Sequence, residues 1–330
     1  MTDSTSTLSY DVLVVGSDAA ALVAALDCAR IGLRVVVFAT SAAKHRPTVF
    51  SHRGGIVASF LTELEIAYTV RESGPTSGSP AEGSIVGIPA NPFAVNVRQS
   101  LGWRGAWRVY LDRVTPLLTI GTETNVGALV RRRLGKAAVK TLVDPALREL
   151  YGRTADEIPV AAVIPGLNQA MTRAGSLTTG IIELIMDDPR VAQTVEVAGG
   201  TRLIEAALRE RLAFFSARII DVTDVHLQVI EPASILATAL PLAEPGDSED
   251  ASVISQEEIS VVAHATLLNP EHVMAPESPP EGLIAEVGVT QNLPGLEAAV
   301  PQSRAASAAI RRILLSNPER LPLGPLDSEG

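Results

Sequence analysis

The first apolar stretch of the chain, Tyr10–Val15, is polar only at Asp11 and has the length of a strand. A turn follows, and apolar residues then recur at helical spacing through Ala19–Ile31. Gly32 closes that segment, as glycine often does just past a helix end. Leu33–Phe38 is a second short run, almost entirely branched and aliphatic, of the kind that suits a parallel strand covered on both faces. Together these pieces predict a βαβ unit.

The pattern then turns helical. Ile56–Leu64 places Ile56, Phe60, Leu61 and Leu64 on one face. Glu72–Ser84 is a Gly/Ser/Pro-rich loop, and Ser84–Val97 reads as extended chain broken by Pro89 and Pro92. Further helices are predicted at Leu101–Leu118, Asn125–Gly135, Lys136–Arg148, Gly180–Met186 and Arg202–Leu212. From Ile219 the runs become short and β-like: Ile219–Val222, Leu227–Ile230, Ile259–Ala263 and Gly282–Val289. Between them, Glu244–Glu258 is acidic and Ser-rich, the composition of a mobile surface loop. A last helix, Ser303–Leu315, precedes a Pro-rich tail over 317–330. The order predicts an α/β protein with a Rossmann-like domain at 1–70, completed by 195–235 and 282–316. A mostly helical domain at 84–190 is inserted into it.

Composition narrows the function classes. The 330 residues are 46% hydrophobic, enough for a large core without staples, and one cysteine, Cys28, excludes an internal disulfide framework. Cys28 lies on the apolar stretch of the first helix and reads as a buried structural thiol, which fits a reducing, cytoplasmic setting. The polar start Met1–Ser9 has no signal-peptide pattern, and no apolar run approaches the roughly 18 residues needed to span a bilayer. A net charge of −10 argues against general affinity for nucleic acid or an anionic membrane, no integral membrane association is expected, and 4% aromatic residues argue against stacking platforms for bases.

The turn after the first strand carries the first candidate chemistry. It reads Gly16-Ser17-Asp18-Ala19-Ala20-Ala21. A dinucleotide fingerprint has glycine at the first, third and sixth of these positions: for the tight turn, for close approach of backbone to pyrophosphate, and for helix–sheet packing. Only Gly16 is kept, and Ala21 is a mild change because it is still small. Asp18 is a severe one. A carboxylate there caps the helix, competes for the N–H groups a phosphate would use, and repels it. The second strand leads into Thr40, where an acidic residue would bind ribose hydroxyls; threonine hydrogen-bonds without charge assistance.

A series of blocks along the chain carries a family resemblance. They are Val86-Gly87-Ile88-Pro89-Ala90-Asn91-Pro92, Leu101-Gly102-Trp103-Arg104-Gly105, the run from Val126 to Leu147 with Arg131-Arg132-Arg133-Leu134-Gly135 and Leu142-Val143-Asp144-Pro145, then Tyr151-Gly152, Val197-Ala198-Gly199-Gly200 and Ser303-Arg304-Ala305-Ala306. In this order they resemble the bacterial protoporphyrinogen/coproporphyrinogen oxidases, flavoproteins of the amine-oxidase superfamily. The resemblance covers most of 10–240 and about 285–315. It implies a glutathione-reductase-like FAD/NAD(P)-binding domain interleaved with a helical substrate or membrane-facing domain. It also implies FAD as cofactor, a porphyrinogen as substrate and oxygen as electron acceptor. The chain reads as a shortened, degenerate member: the Gly-Gly-Arg/Lys stretch that follows the family's second strand is missing after Thr40. Arg53-Gly54-Gly55 falls instead at the start of the next helix, and Gln291–Gly295 stands where the family has a Gly-rich flavin contact.

Other chemistry is sparse. Five histidines (His45, His52, His226, His264, His272) lack metal-ligand spacing, so no metal is expected, and no nucleophile motif appears. Arg131, Arg132 and Arg133 form the compact basic run, either a solvated helix face or a patch for porphyrin propionates or an acidic partner. Trp103 and Trp107, four apart, share a helix face; core packing is the first reading and a tetrapyrrole platform the second. The expected function is that of a porphyrinogen-oxidase-like flavoprotein homologue with most FAD affinity lost, binding a porphyrin, a protein partner or its own copy without catalysis. An active FAD oxidoreductase, and an interaction protein with a vestigial pocket, stay open as alternatives. Catalytic residues are not assigned.

Overall fold

The computed structural model describes residues 8–40, 46–72, 83–115, 124–230, 234–241, 259–268, 284–287 and 295–316. The acidic segment Glu244–Glu258, the tail at 317–330, Gln291–Pro294, His45 and His272 lie outside the described residues. In chain order the elements are β1 (Leu8–Val15), α1 (Ala19–Ala29), β2 (Val35–Thr40), β3 (Val49–Ser51), α2 (Ile56–Glu63), β4 (Thr69–Glu72), β5 (Ser84–Ile85) and β6 (Ile88–Pro89). There follow α3 (Val95–Val114), α4 (Val126–Arg133), α5 (Lys136–Ala138), a π-helical turn (Val139–Val143), α6 (Asp144–Tyr151), α7 (Val160–Val163), α8 (Leu167–Ala174) and α9 (Leu177–Asp187). The last are β7 (Gln193–Glu196), α10 (Gly200–Phe214), β8 (Arg218–Ile230), β9 (Ser234–Pro241), β10 (Ile259–Leu268), β11 (Ile284–Glu286) and α11 (Leu296–Ser316).

Contacts divide the chain into two units. The first holds Met1–Lys44, Glu205–Thr290 and Ala299–Gly330; the second holds His45–Ile204 and Gln291–Ala298. In the first, five strands run parallel in the order β8-β2-β1-β10-β11. The two strands that flank the β1–β2 pair, β8 and β10, also pair with β9. Val222–Ile230 of β8 and Ile259–Ala263 of β10 pair antiparallel with β9. A parallel sheet and a three-stranded meander thus share two strands, the glutathione-reductase-like arrangement. Leu13, Val15, Val36 and Phe38 of the parallel strands pack in one core with Val225, Ala237 and Ala239 of the meander. The run Val12–Val15 is fully buried, which is why it carries no polar alternation.

Helix α1 buries every residue but Asp27, and its six alanines let it lie close to the sheet. Cys28 is buried, and desolvation pushes its thiol up to about 12, so it stays a protonated, unreactive filler. The Ser307 hydroxyl of α11 donates to the Asp27 carboxylate at 3.2 Å, and Arg311 reaches the Asp27 carbonyl at 3.4 Å. Burial holds the Asp27 carboxyl above its usual range, partly offset by Arg304 and Arg311.

Several predicted elements change here. Ile219–Val222 and Leu227–Ile230 are one strand, β8, continuous through the exposed Thr223 and Asp224 between them. β9 was not anticipated, β11 falls within the predicted Gly282–Val289, of which Gly282, Leu283, Gly288 and Val289 lie outside the described residues, and the last helix starts at Leu296 and runs through Pro301.

The second unit is mostly helical around one large apolar core that includes Val130, Leu147, Leu167 and Ile181. It also contains a small sheet, β3-β7-β4, antiparallel throughout. That sheet ties residues 49–51 and 69–72 to 193–196. Residues 46–70 and 195–204 therefore group with the helices, not with the Rossmann-like unit to which 1–70 and 195–235 had been assigned. Ser84–Val97 is a hairpin followed by the first turn of α3 rather than extended chain. Its turn residues Val86 and Gly87 have φ of 44° and 81°. A Cβ on Gly87 would run into the Leu142 carbonyl of the π-helical turn, so the close approach requires glycine. The predicted helix at Leu101 begins earlier, at Val95, with a break at Gly102. α7 and α8 add to the predicted set.

Two buried polar clusters organise this unit. Asp112 on α3 accepts from Arg133 Nε at 2.6 Å, from Thr178 N at 2.8 Å and from the Thr178 hydroxyl at 3.2 Å. The side chains of Asp112 and Arg133 are 0% and 10% exposed. Separately, the Tyr151 hydroxyl donates to Glu297 Oε1 at 2.7 Å, with both residues buried. Desolvation raises the Glu297 carboxyl, opposed by the Tyr151 hydrogen bond and by Arg53. It also raises Tyr151 well above its usual value, and the Glu297 charge adds to that.

Removing one partner of a buried pair leaves a charge without compensation. Asp112→Ala is expected to lower unfolding free energy by about 3–5 kcal/mol in urea titration, and Asp112→Ala with Arg133→Met by much less. A loss under about 1 kcal/mol in the single variant would show that water already satisfies Arg133. For Glu297, the folded carboxyl titrates above the unfolded one, so the folded state binds more protons as pH rises between the two values. Stability from this group is fully present below the unfolded pKa and falls as pH climbs through the folded one. The stability difference between the wild type and Glu297→Gln, measured from pH 4 to 8, should therefore move against the wild type with rising pH.

Candidate functional site

At the head of the Rossmann-like unit, Gly16 has φ of 141° and its N–H donates to the Phe38 carbonyl at 2.9 Å, stitching the ends of β1 and β2. The chain then turns sharply into α1. Asp18, in extended conformation, is the helix N-cap: its Oδ1 accepts the Ala21 N–H at 3.1 Å, and its carbonyl accepts the Leu22 N–H at 3.1 Å. The carboxylate thus stands where the helix dipole and leading N–H groups would receive an anion. Ala19, Ala20 and Ala21 are buried against the sheet, so the small side chain at the fingerprint's last position serves packing. Ser17 donates its hydroxyl to the Thr40 carbonyl at 2.6 Å, closing the turn onto the end of β2. Thr40 itself is buried at that strand end. The sequence-predicted positions Gly16, Ser17, Asp18, Ala19, Ala20, Ala21 and Thr40 are therefore brought together in one turn.

Arg53-Gly54-Gly55 forms a short 3-10 turn leading into α2 in the second unit, as its position before that helix predicted. The Arg53 guanidinium donates to the carbonyls of Ala162 and Val163, each at 3.0 Å.

The basic run does not form an open patch. Arg131 makes a two-pronged ion pair with Asp156 at 2.8 and 2.7 Å. Arg133 is turned inward to Asp112 and also donates to the carbonyls of Asp112 and Thr115. Their cations are matched within the unit, and Arg132 lends its carbonyl to Arg108 at 3.1 Å. The tryptophans depart from the packing reading: Trp103 is 61% exposed and Trp107 is 54% exposed. Core positions on α3 are filled instead by Val97, Ala106 and Val109. The indoles belong to a surface cluster with Phe93 and Tyr110, ring centroids 5.4–6.0 Å apart, and Arg98 lies 5.5 Å above the Trp103 ring. Phe93, Arg98 and Tyr110 were not singled out from sequence, although Tyr110 follows Trp103 by seven residues and the spacing signals a shared face.

The second unit also has a cleft of about 310 Å³ bordered by Ser51, Arg71, Gln193 and Thr194 and by the Val86-Gly87 turn. This is the low end of ligand-pocket sizes. Arg71 at its edge is ion-paired with Glu196 at 2.5 Å. Among the described residues, no group of His, Cys, Asp and Glu is arranged to hold a metal ion; His52, for example, meets Gln193 at 2.9 Å. Nor is any described helix long and apolar enough to cross a membrane.

Comparison with known proteins agrees with this construction. Residues 11–73 match the FAD binding domain family. The coproporphyrinogen III oxidase of Propionibacterium freudenreichii is 36% identical over 80 residues, which is 24% of this chain and 15% of that protein. The Bacillus subtilis enzyme of the same name is 28% identical over 102 residues, 30% of this chain and 21% of that protein. The chain thus matches under a quarter of the length of either relative. A crystal structure from Exiguobacterium sp. 255-15, provisionally named a protoporphyrinogen oxidase, superposes with a TM-score of 0.50 at 18% identity, over 80% of this chain and 60% of that one. That likeness establishes the fold. With the parallel sheet, the meander and the Gly16 turn in place, the chain has the fold of the FAD-binding oxidoreductases and is similar over part of its length to the coproporphyrinogen III oxidases.

Proposed function

We propose that this protein is a porphyrinogen-oxidase-like flavoprotein homologue that has lost most of its FAD affinity and works without catalysis, binding a porphyrin or a protein partner in a reducing, cytoplasmic setting. The observation that carries this reading is the Asp18 cap: its carboxylate accepts the Ala21 N–H at the N-terminus of α1. A pyrophosphate would need the same donors. Two like charges about 4 Å apart repel by roughly 1 to 4 kcal/mol, depending on the effective dielectric. The residues around the turn do not fit a tightly held FAD. Thr40 supplies no carboxylate for ribose hydroxyls, and the Ser17 hydroxyl is spent on the Thr40 carbonyl. The porphyrin half of the proposal is supported by similarity to the coproporphyrinogen III oxidases. The two-pronged pairing of Arg131 and the burial of Arg133 favour some other surface than that run for a ligand's carboxylates.

An active FAD oxidoreductase that oxidises coproporphyrinogen or protoporphyrinogen with oxygen is the second reading. The observation favouring it is the match of residues 11–73 to an FAD binding domain.

The full chain, purified and desalted, is expected to retain no flavin absorbance, and added FAD should bind weakly in a fluorescence titration. Asp18→Gly removes the competing carboxylate, restores the second fingerprint glycine and costs the helix only a few tenths of a kcal/mol relative to a good cap. It should tighten FAD binding by about one to two decades. Stoichiometric flavin surviving desalting of the wild type, or oxygen-dependent turnover of coproporphyrinogen with excess FAD, would establish the second reading instead.

A further inference from the structure

Every residue of β4, Thr69–Glu72, is exposed, whichever face of the strand it stands on. β4 is the open edge of its sheet: it pairs with β7 and with no other strand among the described residues. The opposite edge, β3, is partly buried and packs on α6. An open edge turns a row of backbone N–H and C=O groups to water, where another extended chain can take them. Proline or a bulge commonly blunts such an edge, and β4 has neither. The Arg71 cation is drawn back over β7 to Glu196, away from the edge.

The register sorts the side chains of this sheet onto two faces. Phe50, Val195 and Val70 form one row across the three strands. Phe50 and Val195 are 3% and 0% exposed, whereas Val70 is 42% exposed, so the apolar row runs on past its cover. On the other face Ser51, Thr194 and Arg71 form a polar row that borders the cleft of about 310 Å³.

We infer that the β4 edge pairs antiparallel with β4 of a second copy of this chain, about a two-fold axis at Val70. Such an axis keeps each face of the sheet on its own side, so it must pass at a residue, which then opposes itself. Centring on Arg71 would set two guanidinium groups directly opposite, and centring on Glu72 two carboxylates; both oppose pairing. Centring on Thr69 would pair Arg71 and Glu72 with Ala67 and Ile66, which lie before the strand. Centring on Val70 sets Val70 against its twin, Thr69 against Arg71 and Tyr68 against Glu72, with no like charges opposed.

That register joins two three-stranded sheets into one of six strands. The apolar row of Phe50, Val195 and Val70 then continues into the copy, and Val70 gains the cover it lacks. On the polar face, Thr69 of one copy comes opposite Arg71 of the other at the rim of the cleft, so both clefts open on one face of the joined sheet. The pairing is isologous and closes at a dimer. Contact confined to one short strand makes that dimer weak and reversible. β4 lies in the second unit and the Gly16 turn in the first, so the pairing does not depend on whether FAD binds.

Sedimentation of the full chain over a concentration series should show a reversible monomer–dimer equilibrium. Val70→Lys opposes two cations at the axis and should raise the dissociation constant about tenfold or more. Its thermal unfolding midpoint should stay close to that of the wild type. Directly opposed residues of an antiparallel pair have Cα atoms about 4.5–5.5 Å apart, within disulfide reach. Val70→Cys should therefore give a disulfide-linked dimer on mild oxidation. Glu72→Cys should not, because the two copies of that position lie about 13 Å apart along the strands. The native Cys28 is buried and adds no background. A monomer at every concentration, a dimer that Val70→Lys leaves intact, or Glu72→Cys linking as readily as Val70→Cys would each overturn the proposal.

Discussion

The leading N–H groups of a helix have no partners inside it, and in α1 the Asp18 carboxylate takes one of them. What can stand at the head of the Rossmann-like unit depends on that hydrogen bond. Gly16 brings β1 round at a φ available to glycine, the three alanines seat the helix on the sheet, and the parallel strands aim the N-terminus at the turn. In a dinucleotide site this geometry offers donors and a positive dipole end to a phosphate. Here the chain fills the place with its own anion. The fold keeps the strand–turn–helix geometry of an anion site, and under the proposed function the cap that stabilises α1 also opposes the ligand that geometry suits.

How much of this was legible in sequence follows from where the signals lie. β1, α1 and β2 show within a residue or two because burial on both faces leaves unbroken apolar runs and the helix between them is short-sided and regular. The Asp18 cap was legible for the same local reason: side chain and receiving N–H are three residues apart. The β3-β7-β4 sheet was not, because its strands are three or four residues long and β4 is exposed throughout. Its existence is a fact about pairing between segments more than a hundred residues apart, which no local pattern carries. β8 was read as two pieces because its polar residues point outward from a half-covered meander.

The arginines show the limit most clearly. Arg131, Arg132 and Arg133 are the densest basic run in the chain, yet two of them are matched by Asp156 and Asp112, acids distant in sequence. Arg98 was not singled out and Arg104 was noted only within the Leu101–Gly105 block, yet they flank exposed indoles. Sequence density of charge therefore does not tell how much of that charge the fold leaves unmatched. The deciding quantity is whether the fold supplies a counter-charge, and that depends on tertiary contacts. The tryptophans fail in the same way: spacing fixed that they share a face and left open which way the face points.

These two features divide the molecule's chemistry between places that can be altered separately. The turn at Gly16 lies in the first unit and the aromatic cluster on α3 in the second. Neither includes the buried pair of Tyr151 and Glu297, which binds the short segment beginning at Gly295 to α6. A Cβ at Gly295 would strike both side chains, so the pair and the glycine constrain each other. The family resemblance implies a flavin contact at Gln291–Gly295, of which Gly295 is the described residue. In this chain Glu297 is buried against a tyrosine, and burial drives the carboxyl toward its neutral form. The turn after β1 and the segment before α11 thus share one trait: each holds a carboxylate whose hydrogen bond is made within the protein, to the Ala21 N–H in one and to the Tyr151 hydroxyl in the other.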